Sequence, residues 1–220
     1  MLAAAAAEGG DGRASASWAE ALVRADRLED AERAVQESLA RAARAGGQGP
    51  RGAALAALAA LAEAKSEPAK TRWVEATEVV SEPSEAVGLR ARAALAAFGE
   101  DDDVVATTQI AAARDGASAA WMPLVEALEQ ALAVRVDPDA RYVAKIVAAI
   151  DRLEAEGRHG AAAMAVEALA FAHLALGDRG AASRTLDRAS ALAEAAGHRS
   201  QARRLAERAR NQASGGSSAP

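Results

Sequence analysis

Apolar residues recur at three- and four-residue intervals through most of this 220-residue chain, and polar residues fill the positions between them. The pattern is densest from Arg158 onward. Val166, Leu169, Ala170, His173 and Leu174 mark one helix face, and Ala182, Leu186 and Ala189 mark the face of a second helix. Between them Gly177 can take the left-handed conformation that ends a helix without a Cβ clash, and Asp178 can cap the next helix through its carboxylate. Gly197 repeats the stop. Beyond it Ala202, Leu205, Ala206 and Ala209 form a narrow apolar stripe opposite Arg199, Arg203, Arg204 and Arg210, which reads as a capping helix with a solvated basic face. Small residues at Ala170 and Ala182 predict a close approach of the paired helices.

The same periodicity extends upstream. Trp18, Ala19 and Leu22, a turn at Ala25, Asp26 and Arg27, and then Ala31, Val35 and Ser38 make a first hairpin. Gly46, Gly47, Gly49 and Pro50 break the pattern and predict the loosest internal connection. Leu55, Leu58 and Leu61 form another helix, and Pro68 opens one that carries Trp73, Ala76, Val79 and Val80. After a break at 81–84, with Ser84 as a cap, Val87, Ala91, Leu95 and Phe98 share a face. Asp102 or Asp103 caps the helix of Ala106, Ile110 and Ala113. The segment 117–134 carries Trp121, Leu124, Leu128 and Leu132, with Pro123 tolerated near its start. Past a turn at 136–139, Tyr142, Ile146, Val147 and Ile150 run to a stop near Gly157. The expectation is an all-α fold of about five antiparallel helical hairpins, each roughly 35–40 residues, closed by a C-terminal capping helix. This domain spans 14–211, between a disordered leader at 1–13 and a disordered tail at 212–220.

The hairpin built on Val166, Leu169, Ala170, His173, Gly177, Ala182, Leu186 and Ala189 resembles the tetratricopeptide repeat or a helical hairpin like it. It departs from that pattern at His173, where tyrosine is usual, and at Glu194, where proline often closes the repeat. The resemblance implies a right-handed solenoid whose concave surface, lined by the first helix of each pair, binds another protein or a peptide. Carried over, the groove positions are Met164, Glu167, Phe171 and Leu174 in the last repeat and Met122, Val125, Glu129 and Leu132 in the one before. Phe171 and Leu174 are then expected to lie exposed in an apolar groove. The subclass that grips a C-terminal carboxylate with groove lysines and asparagines is disfavoured, because the single asparagine, Asn211, lies outside the repeats. The function implied is a non-catalytic interaction scaffold. A regulatory or sensor module of a signalling or transcription system is the alternative, followed by a nucleic-acid-associated protein acting through the C-terminal arginines.

Composition narrows the picture further. Hydrophobic residues are 51% of the chain but aromatics only 3%, so alanine and leucine dominate and helices are favoured over sheets. The absence of cysteine excludes disulfides and thiolate metal sites and leaves the redox compartment open. A net charge of -5 with both signs interspersed argues against nucleic acid as the main partner. Met1, Leu2 and the alanines after them lack the basic start of a signal peptide, no apolar run is long enough for a membrane helix, and the expected compartment is the cytoplasm.

Candidate chemistry is sparse. The acidic run Glu100–Asp103 lacks the spaced ligands of a calcium loop and suits a helix N-terminus. His159, His173 and His198 have no metal-ligand spacing. No glycine-rich stretch has the lysine of a phosphate loop, and Ser183 and Ser190 have no nucleophile elbow. Trp18, Trp73 and Trp121 read as packing residues. No catalytic, cofactor or metal site is expected.

Overall fold

The computed structural model describes residues 13–46, 48–80 and 83–214, the side chains of 83–85 excepted. Among the described residues there are eleven α-helices and no strand. They are α1 (Arg13–Arg24), α2 (Leu28–Ala45), α3 (Gln48–Ala64), α4 (Lys70–Val79), α5 (Pro83–Gly99) and α6 (Asp103–Gly116), followed by α7 (Met122–Val136), α8 (Arg141–Ala155), α9 (His159–Ala175), α10 (Arg179–Ala195) and α11 (Arg199–Ser214). The all-α expectation holds. The helical part extends past both ends of 14–211, since α1 begins at Arg13 and α11 continues to Ser214. The rest of the expected leader and tail, at 1–12 and 215–220, lies outside the described residues. So does the side chain of Ser84, the expected cap; α5 in fact begins before it, at Pro83.

Local chemistry sets most of the boundaries. Gly157, Gly177 and Gly197 end α8, α9 and α10 in left-handed conformations, with φ of 69°, 77° and 78°. Asp178 accepts the Ala181 N–H at 2.8 Å and so caps α10, and Asp102 accepts the Val105 N–H at 3.1 Å and caps α6. Three expectations are corrected. Gly46 ends α2, but α3 resumes at Gln48 and takes Gly49 and Pro50 into its first turn, where a missing N–H costs no intrahelical bond. The helix expected from Pro68 begins at Lys70. The helix expected from Ala117 begins only at Met122, with Pro123 in its first turn.

Each helix packs on the next, and α1 also meets α3, α5 meets α7, and α9 meets both α7 and α5. Helices α5, α7 and α9 therefore form an inner layer, and α1 and α3 pair beside it. At its centre α9 is buried without interruption from Ala161 to Ala172, because its alanines let neighbours approach on every side. The main core gathers Phe98, Leu124, Leu128, Ile150, Leu186 and Leu205, whereas the first three helices keep their own around Leu22, Val35 and Leu61. Each fully buried leucine contributes about 1.5–3 kcal/mol. Ser183 and Ser190 donate to the carbonyls of Ala209 and Ala202 at 3.0 and 2.8 Å and stitch α10 to α11. Helix α11 also reaches α1 and α3, so the last helix meets the first ones.

Candidate functional site

Glu167 sits in the middle of the alanine-rich α9 with 2% of its surface exposed. A carboxylate in such surroundings is tolerated only when charged partners replace its water. Arg204 supplies a two-pronged contact, its Nη1 and Nη2 donating to Oε1 and Oε2 at 3.0 and 3.1 Å. Arg208, one turn later on the same face of α11, donates Nη1 to Oε1 at 2.9 Å. The cluster continues into the first half of the chain. Arg204 Nη2 lies 2.8 Å from Glu63 Oε1 on α3, while Glu63 Oε2 accepts from Trp73 Nε1 at 3.2 Å and from Arg92 Nη1 at 3.5 Å. Arg203 reaches Asp26 Oδ1 at 2.9 Å and the Ala64 carbonyl at 3.1 Å.

The electrostatics follow from the number of partners. Burial alone would raise the pKa of Glu167, but the charges of Arg204 and Arg208 outweigh it and hold the carboxyl below its ordinary 4.5. Burial works against the charge on Arg204 too, yet two carboxylates, Glu167 and Glu63, raise its pKa. Arg208 goes the other way. Partial burial beside Arg204 outweighs the contact with Glu167, a carboxylate that Arg204 shares, so the pKa of Arg208 is lowered. Its guanidinium also stacks 4.7 Å over the Phe171 ring, which lies 5.7 Å from Phe98; Arg135 covers Phe98 from its own position at 5.6 Å.

Of the groove residues implied by the repeat resemblance, Glu167, Phe171, Met164 and Val125 are buried, and Met122, Leu132 and Leu174 are half-buried. Glu129 pairs with Arg114 on α6. The expectation of an exposed apolar groove at Phe171 is corrected, because α11 lies over Glu167 and Phe171 through Arg204 and Arg208. The solvated basic face is corrected at Arg204, while Arg199, Arg203 and Arg210 are exposed as expected. Met122 and Val125 pack instead into a small cluster with Val87 and Ala113, away from the charged one. The acidic run at 100–103 is met by cations: Lys70 pairs with Glu100 and Asp102, and Arg135 pairs with Asp101 and Asp103.

Sequence reasoning missed Glu63, Arg92, Asp26 and Arg208, whose partners lie far along the chain. The one usable signal was Glu167 itself, a charge inside an otherwise apolar helix. Beside the cluster a cleft of about 420 Å³ opens between the α3–α4 loop, the end of α5 and α11, with Glu63, Pro68, Leu95, Glu167, Arg208 and Asn211 on its walls. Among the described residues no helix is long and apolar enough to cross a membrane. No protein-family model, no curated protein and no solved structure matches the chain.

Proposed function

We propose that this protein is a non-catalytic, cytoplasmic interaction scaffold, a right-handed stack of tetratricopeptide-like hairpins whose inner face takes a partner helix or peptide. The observation that supports it is the way α11 crosses the inner layer. A basic amphipathic helix lies over α9, with Leu205 buried beneath it and Arg204 and Arg208 on Glu167. This is the chemistry of a helix seated in a groove, supplied by the chain's own end. The partner enters along the cleft beside α11, where Leu95 and Pro68 offer apolar contact and Asn211 marks the rim. The same contacts weigh against nucleic acid as the ligand, since Arg203, Arg204 and Arg208 are matched by Asp26, Glu63 and Glu167.

Photo-crosslinking from the full chain tests this reading. A crosslinker at the exposed Asn211 captures the partner, and one at the exposed Lys145 on α8 does not. Capture from Lys145 alone would move the binding surface to the outer face and overturn the reading.

A further inference from the structure

A second cavity, about 80 Å³, lies where the N-terminal end of α11 meets α1, α3 and α5. Its walls include Arg24, Arg92 and Arg204 against two carboxylates, Glu20 and Glu63. The walls alone therefore lean positive by one arginine, while the wider network, with Arg203 and Arg208 against Asp26, Glu167 and Glu207, is balanced. The hydrogen bonding adds unused donors to these walls. Six buried side-chain nitrogen or oxygen atoms among the described residues have no partner, and two that belong to residues of this one cavity are Gln201 Nε2 and Arg204 Nε. Gln201 is only 7% exposed, and its Oε1 is already taken by Arg92 Nη2 at 3.3 Å. Gln201 Nε2 and Arg204 Nε can only donate. Glu63, the carboxylate closest to these groups in the hydrogen-bond network, is already engaged by Trp73, Arg92 and Arg204.

From these donors and the three arginines on the walls we infer that the cavity binds a small oxyanion, either a free inorganic ion or the carboxylate of a peptide. The ligand accepts from Gln201 Nε2 and Arg204 Nε. It joins α11 to α1, α3 and α5, so its binding tightens the contact between the two ends of the chain. The site shares Glu63 and Arg204 with the cleft assigned to the partner, but its ligand is a small anion and its test does not use that partner, so neither reading depends on the other.

Calorimetric titration of the full chain with inorganic phosphate and with acetate, at ionic strength matched by chloride, tests the inference. Saturable binding of either ion supports it. Tighter phosphate names a free inorganic ion as the source, and tighter acetate names a carboxylate. Gln201→Leu weakens the binding about tenfold or more, the effect of losing a hydrogen bond to a charged group. Gln201→Glu keeps the size and supplies the missing acceptor itself, so it melts higher than the wild type in chloride and loses the response to phosphate and acetate. No binding of either ion, or a Gln201→Glu chain that melts lower and still binds, would mean that the cavity holds water alone and would overturn the inference.

Discussion

Replacing Glu167 by glutamine removes the negative charge that α9 presents to Arg204 and Arg208 while keeping the side chain's size and one acceptor oxygen. The carboxylate accepts three hydrogen bonds, at 3.0, 3.1 and 2.9 Å. At an effective dielectric of about 20, opposite charges roughly 4 Å apart attract by about 4 kcal/mol, much of it offset by the desolvation of both groups. Removing one member leaves the arginines buried and short of a partner, which in general costs about 3–5 kcal/mol. Here the loss falls at the lower end, because Arg204 keeps Glu63 at 2.8 Å and the Arg208 side chain remains 30% exposed. The expected cost is about 3 kcal/mol, which lowers the ratio of folded to unfolded chain by more than about a hundredfold. Urea unfolding followed by helical circular dichroism and by tryptophan fluorescence measures it, provided the two transitions coincide. Arg204→Met and the double variant complete a cycle whose coupling should reach about 1 kcal/mol. A loss below about 0.5 kcal/mol with no coupling would show that α11 does not rely on this contact.

Four further outcomes follow from the packing and the charges. Leu205→Ala should cost about 2–5 kcal/mol in urea unfolding, because the side chain is fully buried under α11, and a loss below about 1 kcal/mol would mean that the helix is not seated there. Ala182→Leu should overpack α10 by about 1–3 kcal/mol, seen as a lower melting temperature. Arg203→Glu should change stability by no more than about 1 kcal/mol, since Arg203 and Asp26 are both partly exposed. Stability should fall on acidification. Burial, with Arg92 and Arg24 adding to it for His198, holds His198 and His173 below 6.5, so the unfolded chain binds protons that the fold refuses and stability drops as pH falls below that value. Glu167, also lowered, adds a further loss below 4.5. A urea midpoint that rises between about pH 7 and pH 5 would contradict this.

Much of the fold is legible in the sequence where one residue settles a boundary. Gly177 followed by Asp178 sets a stop and a cap within two positions, and both act as their chemistry requires. The boundary at Gln48 was not legible, because Gly49 and Pro50 are tolerated in a first turn as readily as in a loop. The site was harder to read. The repeat resemblance implies that Glu167 and Phe171 lie on the inner side of α9, but it says nothing about what lies across from them. The partners Glu63 and Arg204 are 141 residues apart in the chain, and a charge on a helix face looks the same whether it meets water or another charge. An arginine stripe on a narrow apolar helix therefore read as a solvated cap. The apolar stripe is as expected, with Leu205 and Ala209 buried, Arg199, Arg203 and Arg210 are exposed, and the departure from a solvated face lies at Arg204.

Peptide-resolved hydrogen exchange on the unmodified chain tests most directly whether the last helix occupies the inner face. The amides of α11 (Arg199–Ser214) should be protected to an extent comparable with α9 and α10, because Leu205, the Glu167 contacts and the serine bonds from α10 all oppose its opening. Exchange of α11 at the rate of an unstructured peptide, with α7 to α9 still protected, would contradict the account.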